Sequence, residues 1–100
     1  MRLNPEQIYA ITRTIGCLTH GTADIFLFGS RLDDRAKGGD VDLLLETAAP
    51  LTLRERARMK MELEAQIGLP VDIVCYARDA TRSPFQRMVR AKAVRLKAPA

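Results

Sequence analysis

The sequence predicts an α/β (α+β) domain in which helices pack on a small mixed β-sheet. Segments with apolar residues at helical spacing alternate with short apolar runs, in the order helix, strand, short helix, strand, helix, strand, helix. The connection from Gly29 to Asp40 is too short for a long crossover helix, so we expect the first two strands to be antiparallel. The 100 residues, of which 47% are hydrophobic, suffice for a single domain that spans residues 1–100.

Three long helices are predicted, each from a residue suited to cap its first turn and from apolar side chains on one face. They cover about residues 4–20, 53–67 and 83–93. Asn4 begins the first helix and Gly21 is expected to end it, whereas Thr52 and Glu55 form a capping box for the second. Residues after Leu96 are expected to form a frayed tail.

Three strands are predicted from short runs of β-branched and apolar residues. They cover residues 25–28, 41–45 and 71–76. One or two helical turns are expected between Ser30 and Arg35. Because the run from Val41 to Leu45 is almost continuously apolar, we expect the second strand to be buried on both faces.

Two carboxylates stand at the start of the second predicted strand. Alternate residues of a strand point to the same side, so Asp40 and Asp42 share one face while Val41 takes the other. Neighbouring carboxylates repel each other, and a protein keeps such a pair most readily around a divalent cation. Asp72, in the middle of the third predicted strand, can join the pair if the second and third strands are adjacent. The alternative for Asp72 is an edge-strand or ion-paired acid.

The first predicted strand ends abruptly at Gly29 and Ser30. A glycine–serine turn offers backbone N–H groups and a hydroxyl, which together suit a phosphate group. A phosphate-binding turn beside a pair of metal-binding carboxylates indicates phosphoryl or nucleotidyl transfer from a nucleotide.

These residues follow the pattern of a known family. Gly29 and Ser30, nine intervening residues, Asp40 and Asp42, and the later strand residue Asp72 resemble the nucleotidyltransferase superfamily that includes DNA polymerase β. The length and the residues that flank both motifs resemble its minimal nucleotidyltransferase (MNT) branch, which implies a nucleotidyltransferase-like fold. Many members have ten residues rather than nine between the two motifs, a difference in the loop that bears on donor-phosphate geometry.

The resemblance implies a set of site residues. Asp40, Asp42 and Asp72 would hold two magnesium ions, and Asp72 would also help to deprotonate the acceptor hydroxyl. ATP would be the donor, with its β- and γ-phosphates on Gly29 and Ser30. Further positive charge would come from Arg31, which directly follows the turn, or from Arg35 or Lys37, each of which is equally well interpreted as a surface residue.

Stand-alone MNT proteins of this size resemble antitoxins that are paired with HEPN-type ribonuclease toxins. The resemblance therefore implies transfer of AMP from ATP to a tyrosine of such a partner. The arginines of the predicted helices 53–67 and 83–93, together with Met59, Met61 and Met88, indicate that exposed parts of these helices contact the partner, unless the methionines fill the core. One alternative is an antitoxin that acts by binding alone, for which a carboxylate triad has no use. Another is a small RNA-binding protein, which the net charge of +4 allows but the absence of interleaved aromatic residues disfavours.

Several remaining features predict ordinary roles. Four basic residues between positions 54 and 60 are interpreted as a solvated helix face with i,i+4 ion pairs, or else as a partner or phosphate surface. Cys17 and Cys75 are expected to be reduced core residues, and Tyr76 and Phe85 to pack in the core. No apolar run is long enough for a membrane span and no signal peptide is recognised, so a cytoplasmic protein is expected.

Overall fold

The computed structural model describes residues 2–33 and 39–97. Within them the helices and strands predicted from the sequence are all present, together with one short strand that was not predicted. The elements are α1 (Pro5–Leu18), β1 (Asp24–Phe28), a 3₁₀ helix (Gly29–Leu32), β2 (Val41–Thr47), α2 (Leu53–Ile67), β3 (Val71–Ala77), α3 (Pro84–Lys92) and β4 (Val94–Arg95).

The four strands form one mixed sheet in the order β3-β2-β1-β4. β1 is antiparallel to both β2 and β4, whereas β2 and β3 are parallel and are joined by α2. The predicted antiparallel pairing of the first two strands and the mixed character of the sheet are therefore confirmed. β2 lies at the centre, and its residues Leu43, Leu44 and Leu45 are all fully buried, as the continuous apolar run indicates.

Each long helix begins with a capping box. The side chains of Asn4, Thr52 and Ser83 accept hydrogen bonds from backbone N–H groups three residues later, and the residues at those positions return the bond. These reciprocal bonds satisfy donors that a helix start otherwise leaves open. The sequence prediction of the helix starts is therefore confirmed at each of the three caps.

The sheet has two covered faces of unequal extent. On one face α1 and α2 pack against β2 and β1, with Ile11, Ile15, Met59 and Leu63 in the larger core. On the other face, α3 is the one helix of the described residues that covers the strands. The smaller core there joins α3 to the sheet and comprises Phe26, Leu44, Tyr76 and Val89. Because α3 is only nine residues long, no described helix covers one end of this face, and the candidate site lies at that end.

A buried carboxylate attaches α3 to this second face. Glu46 accepts a hydrogen bond from the Tyr76 hydroxyl, lies 3.2 Å from Nε of Arg90 and lies 3.4 Å from Nη2 of Arg82. The Arg90 guanidinium also stacks over Phe26, 4.1 Å from the ring centre. Burial, and then the hydrogen bond to Glu46, raise the pKa of Tyr76 to about 12.

Some expectations from the sequence are wrong. α1 ends at Leu18, before Gly21, because the chain already turns at the next residues. Cys17 is exposed rather than in the core, and the ring of Phe85 is 53% exposed. The helical turn after Ser30 is a 3₁₀ helix, and Arg35 and Lys37 lie outside the described residues.

Two further features concern the chain end and the membrane. β4 pairs with β1 where the sequence predicted only the end of the last helix, so the chain returns to the sheet before its last residues. Among the helices of the described residues, none combines the length and the apolar character that a membrane crossing demands.

We predict that Tyr76→Phe lowers the free energy of unfolding by about 1–2 kcal/mol, because the Glu46 carboxylate loses a buried hydrogen-bond donor. Urea denaturation at pH 7 measures the change. The matched control is Tyr9→Phe on the half-exposed second tyrosine, which should alter stability by less than about 0.5 kcal/mol.

The folded phenol of Tyr76 keeps its proton to higher pH than the unfolded one, so the difference in stability between Tyr76→Phe and the wild type should shrink as the pH rises toward about 12. Equal midpoints for Tyr76→Phe and the wild type at pH 7 would contradict the assigned role.

Candidate active site

Three chain segments meet at one end of the sheet. β1 ends at Phe28, which pairs with Asp42 near the start of β2, and Asp42 pairs in turn with Asp72 near the start of β3. Neighbouring strands are about 4.8 Å apart, so the two aspartates are lateral neighbours. By strand alternation both lie on the face that carries Leu44 and α3, at the end that α3 leaves open.

The three predicted aspartates differ in exposure. Asp40 is exposed just before β2, Asp42 is partly buried, and the Asp72 side chain is 60% exposed on the edge strand. Burial raises the pKa of Asp42, and the negative charges of Asp72 and then of Asp40 raise it further. Asp42 is thus the carboxylate on which burial and the repulsion from its neighbours act together.

This repulsion opposes folding at neutral pH. Because the pKa of Asp42 is higher in the folded chain than in the unfolded one, the folded state binds the extra proton more readily. Stability from this group is therefore greatest below the ordinary carboxyl pKa and decreases as the pH rises through the raised value. A cation that binds between the carboxylates would reverse this unfavourable contribution.

The donor set fits a hard divalent cation. Carboxylate oxygens are the ligands that magnesium prefers, and Asp42 and Asp72 present them from adjacent strands. Within residues 2–33 and 39–97 no three acidic, histidine or cysteine side chains already surround one point, so coordination requires the carboxylates to turn toward each other. The cation now nearest to Asp72 is Lys60, whose Nζ lies 3.8 Å from Oδ1.

The close approach of Asp42 requires a glycine at position 29, in the predicted phosphate turn. Gly29 begins the 3₁₀ helix with φ +78°, a conformation that other residues rarely adopt. A Cβ atom built on Gly29 would overlap Oδ2 of Asp42. The turn and the carboxylate can therefore approach each other only because this position has no side chain. Ser30 follows in the same turn, beside Gly39 across the loop.

Arg31 holds the loop rather than extending freely from it. Its guanidinium donates to the carbonyl oxygen of Gly39 at 3.0 Å and to that of Arg2 at 3.3 Å. Its Nε is buried without a hydrogen-bond partner among the described residues. The structure therefore gives Arg31 a role in fixing the two ends of the loop around the site, and its predicted contact with phosphate stays a prediction.

Arg2, which the sequence did not single out, supports the same turn. Its side chain donates to the carbonyl oxygens of Asp33 at 2.9 Å and Ser30 at 3.2 Å, and its backbone N–H donates to Arg31. These contacts join the N-terminal segment to the turn across almost thirty residues of sequence. No local pattern signals such a contact, because it depends on where α1 packs.

The basic side chains in the first half of α2 make two kinds of contact. The predicted ion pairs Arg58–Glu62 and Lys60–Glu64 are confirmed, at 3.1 Å and 3.2 Å. However, Lys60 also donates to the carbonyl oxygen of Val71, and Arg56 donates to that of Ile73 at 3.0 Å. Two of the basic side chains therefore cover the outer edge of β3 next to Asp72, which a purely solvated face does not explain.

We predict that Gly29→Ala destabilises the protein by about 2–4 kcal/mol, because the new methyl group combines a strained φ with displacement of Asp42. Gly21→Ala is the matched control, since Gly21 has φ +72° but open space around its Cβ position. It should lose only about 1–2 kcal/mol. Chemical denaturation of both variants measures the difference, and equal losses would exclude a constraint from Asp42.

Comparison with known proteins agrees with this arrangement. The sequence profile of the nucleotidyltransferase domain family matches residues 13–98. A chain in the crystal structure of a mutant MntA–HpeT toxin–antitoxin complex shares the fold with a TM-score of 0.71 at 21% identity, over 97% of this chain and 75% of that one. No curated protein sequence matches the chain.

A second solved structure is closer in length. A minimal nucleotidyltransferase superposes with a TM-score of 0.65 at 26% identity, over 92% of this chain and 95% of that one. The predicted resemblance to the MNT branch is thereby confirmed, and so is the nucleotidyltransferase-like α+β fold. The family profile covers most of the chain, and the sheet brings together the strand ends on which its motifs lie. The chain belongs to the nucleotidyltransferase domain family.

Proposed function

We propose that the protein is a magnesium-dependent nucleotidyltransferase that moves AMP from ATP to a hydroxyl group of a partner protein. The observation that carries this proposal is the register of β2 and β3, which sets Asp42 beside Asp72 while Gly29 abuts Asp42. The Gly29 turn, the carboxylate pair and the part of the face that no described helix covers follow one another across a single end of the sheet. This is the order in which a nucleotide's phosphates, its metal and an acceptor would be arranged.

The residues would divide the reaction among them. The acceptor oxygen attacks the α-phosphorus of ATP, the bond to the bridging oxygen breaks, and pyrophosphate leaves. Gly29 and Ser30 would bind the β- and γ-phosphates, and Arg31 would add positive charge. Asp40, Asp42 and Asp72 would hold two magnesium ions, which neutralise phosphate charge when bound. Asp72 would also accept the proton that the acceptor hydroxyl releases.

The acceptor would be a tyrosine of a HEPN-type toxin, and the chain would act as its antitoxin. Support comes from the shared fold with a chain of the MntA–HpeT toxin–antitoxin complex. The exposed faces of α2 and α3 are suitable for a partner, since Met61 is 70% exposed and Met88 and Phe85 are each 53% exposed. Met59, by contrast, is buried in the core and contributes nothing to such a surface.

We predict that the protein adenylylates a HEPN-type partner protein. Incubating both with magnesium and ATP should increase the partner's intact mass by one adenylyl group, as measured by mass spectrometry. Asp72→Asn should reduce the rate by at least about a hundredfold, because the acceptor loses its base and a metal its ligand. Asp79→Asn, which changes an exposed aspartate just after β3, should leave the rate within about twofold.

Two outcomes would contradict the enzymatic proposal. Unchanged partner mass in a stable complex would contradict transfer, and complete neutralisation of the toxin by Asp72→Asn would leave an antitoxin that acts by binding alone. Transfer of AMP to RNA would agree with a nucleotidyltransferase but would contradict a protein as its acceptor.

A further inference from the structure

A groove of about 330 Å³ runs along the outer edge of β3, between that strand and α2. It is lined by Leu53, Arg56, Ala57, Lys60, Asp72 and Ile73. Asp72 is the one lining residue that belongs to the candidate active site. The groove therefore begins at the predicted catalytic carboxylate and extends away from it along the helix.

The geometry of phosphoryl transfer indicates that an acceptor would enter the site from the side of the groove. Gly29 lies at the end of β1, Asp42 on β2 and Asp72 on the edge strand β3, so the site extends over two strand spacings, or roughly 10 Å. In an in-line displacement the attacking oxygen and the leaving group stand on opposite sides of phosphorus. If pyrophosphate leaves toward Gly29, the acceptor must enter from the side of Asp72, where the groove opens.

One cation of the groove, Arg56, lacks a carboxylate partner among the described residues where the groove meets the strand. Arg56 donates one hydrogen bond to the carbonyl of Ile73, while its buried Nε has no hydrogen-bond partner and no carboxylate pairs with it among the described residues. Lys60 is shared between Glu64 at 3.2 Å and Asp72 at 3.8 Å. The unpaired guanidinium makes the groove complementary to an acidic group of the acceptor.

The remaining lining is apolar. Leu53 is 81% exposed at the start of α2, and it stands with Ala57 and Ile73 along the groove. An exposed leucine beside an unpaired arginine fits a peptide that offers an apolar side chain and a carboxylate. The described lining contains no aromatic side chain on which a base could stack, which disfavours a single-stranded nucleic acid in the same place.

We propose that this groove is the acceptor-binding subsite, and that it takes a protein segment in which an acidic and an apolar side chain flank the residue bearing the hydroxyl group. This inference rests on the proposed function and specifies its substrate. Arg56 binds the carboxylate, Leu53 and Ala57 contact the apolar side chain, and the hydroxyl is presented to Asp72. Arg56 is a specificity residue here, since it contacts the substrate beside the reacting group.

Binding of a peptide probe tests the groove without ATP or metal. We would titrate the ¹⁵N-labelled protein with the acetylated, amidated peptide Leu-Glu-Tyr-Glu-Leu and follow amide chemical shifts. The shifts should change within residues 53–60 and 71–75. The peptide Leu-Lys-Tyr-Lys-Leu should bind at least about tenfold more weakly, because its charges oppose Arg56. Equal binding of both peptides, or shifts elsewhere only, would overturn the assignment.

A pair of matched variants separates the groove from the rest of α2. Ala57→Glu places a negative, larger side chain in the groove and should weaken binding of the acidic peptide at least about tenfold. Ala65→Glu makes the same change at an exposed position two turns further along α2 and should leave binding within about twofold. Circular dichroism establishes that both variants are folded. Equal affinity in the two variants would refute the proposal.

The outcomes for the groove and for the proposed function are distinguishable. If the acidic peptide binds at the groove but the partner protein never gains AMP, the proposed function fails and the groove remains a peptide site. If the partner gains AMP at the same rate with Ala57→Glu as with Ala65→Glu, the function stands and the groove is not its acceptor site. Displacement of the peptide by a uridine decamer at equal concentration would overturn the choice of a protein acceptor.

Discussion

Electrostatic repulsion among three carboxylates at one end of a buried sheet is the constraint on which the other features of the site depend. Asp42 stays beside Asp72 because β2 is buried on both faces and pairs with β3 in a register that sets the two aspartates opposite each other. A slip by one residue would exchange the leucines of β2 between the two cores, but it would turn Asp42 and Glu46 toward the larger core under α1 and α2. The same packing that stabilises the sheet therefore holds the charges together.

The residues around Asp42 hold the carboxylates in place and do not neutralise their charge. Gly29 approaches the carboxylate with no side chain, and its turn is held from outside by Arg2 and Arg31. Lys60 reaches Asp72 from α2, but it is shared with Glu64 and with the edge of β3. No described cation is therefore committed to Asp42, and in the proposed function a magnesium ion would offset the remaining negative charge.

The edge strand β3 connects this site to the helix that borders it. Its outer carbonyl groups at Val71 and Ile73 are covered by Lys60 and Arg56, which protects the edge from pairing with another chain. The same two side chains give the adjoining groove its charge. A single helix face thus protects the sheet edge and, under the proposed acceptor site, would also select an acidic acceptor beside Asp72.

The sequence predicted the helices, the three main strands and the pairing of the first two strands, because each rests on local signals such as caps, apolar spacing and connection length. It left open whether Asp72 joins Asp42, because strand adjacency has no local signal; the structure pairs the two residues, and Asp72 is also an edge-strand acid within 3.8 Å of Lys60. The sequence missed β4, a two-residue strand that forms only by pairing with β1. The exposure of Cys17 and Phe85 depends on whether another element covers them, which periodicity does not specify.

The most direct test of the account compares thermal unfolding of the wild type, Asp42→Asn and the control Asp79→Asn at pH 7, with and without magnesium and ATP. Without metal, Asp42→Asn should unfold about 2–4 °C higher than the wild type, because it removes about 0.5 kcal/mol of repulsion and desolvation. With magnesium and ATP the order should reverse, since only the wild type and Asp79→Asn would gain stability from binding. An Asp42→Asn variant that is no more stable without metal, or that gains as much from magnesium and ATP as the wild type, would contradict the central claim.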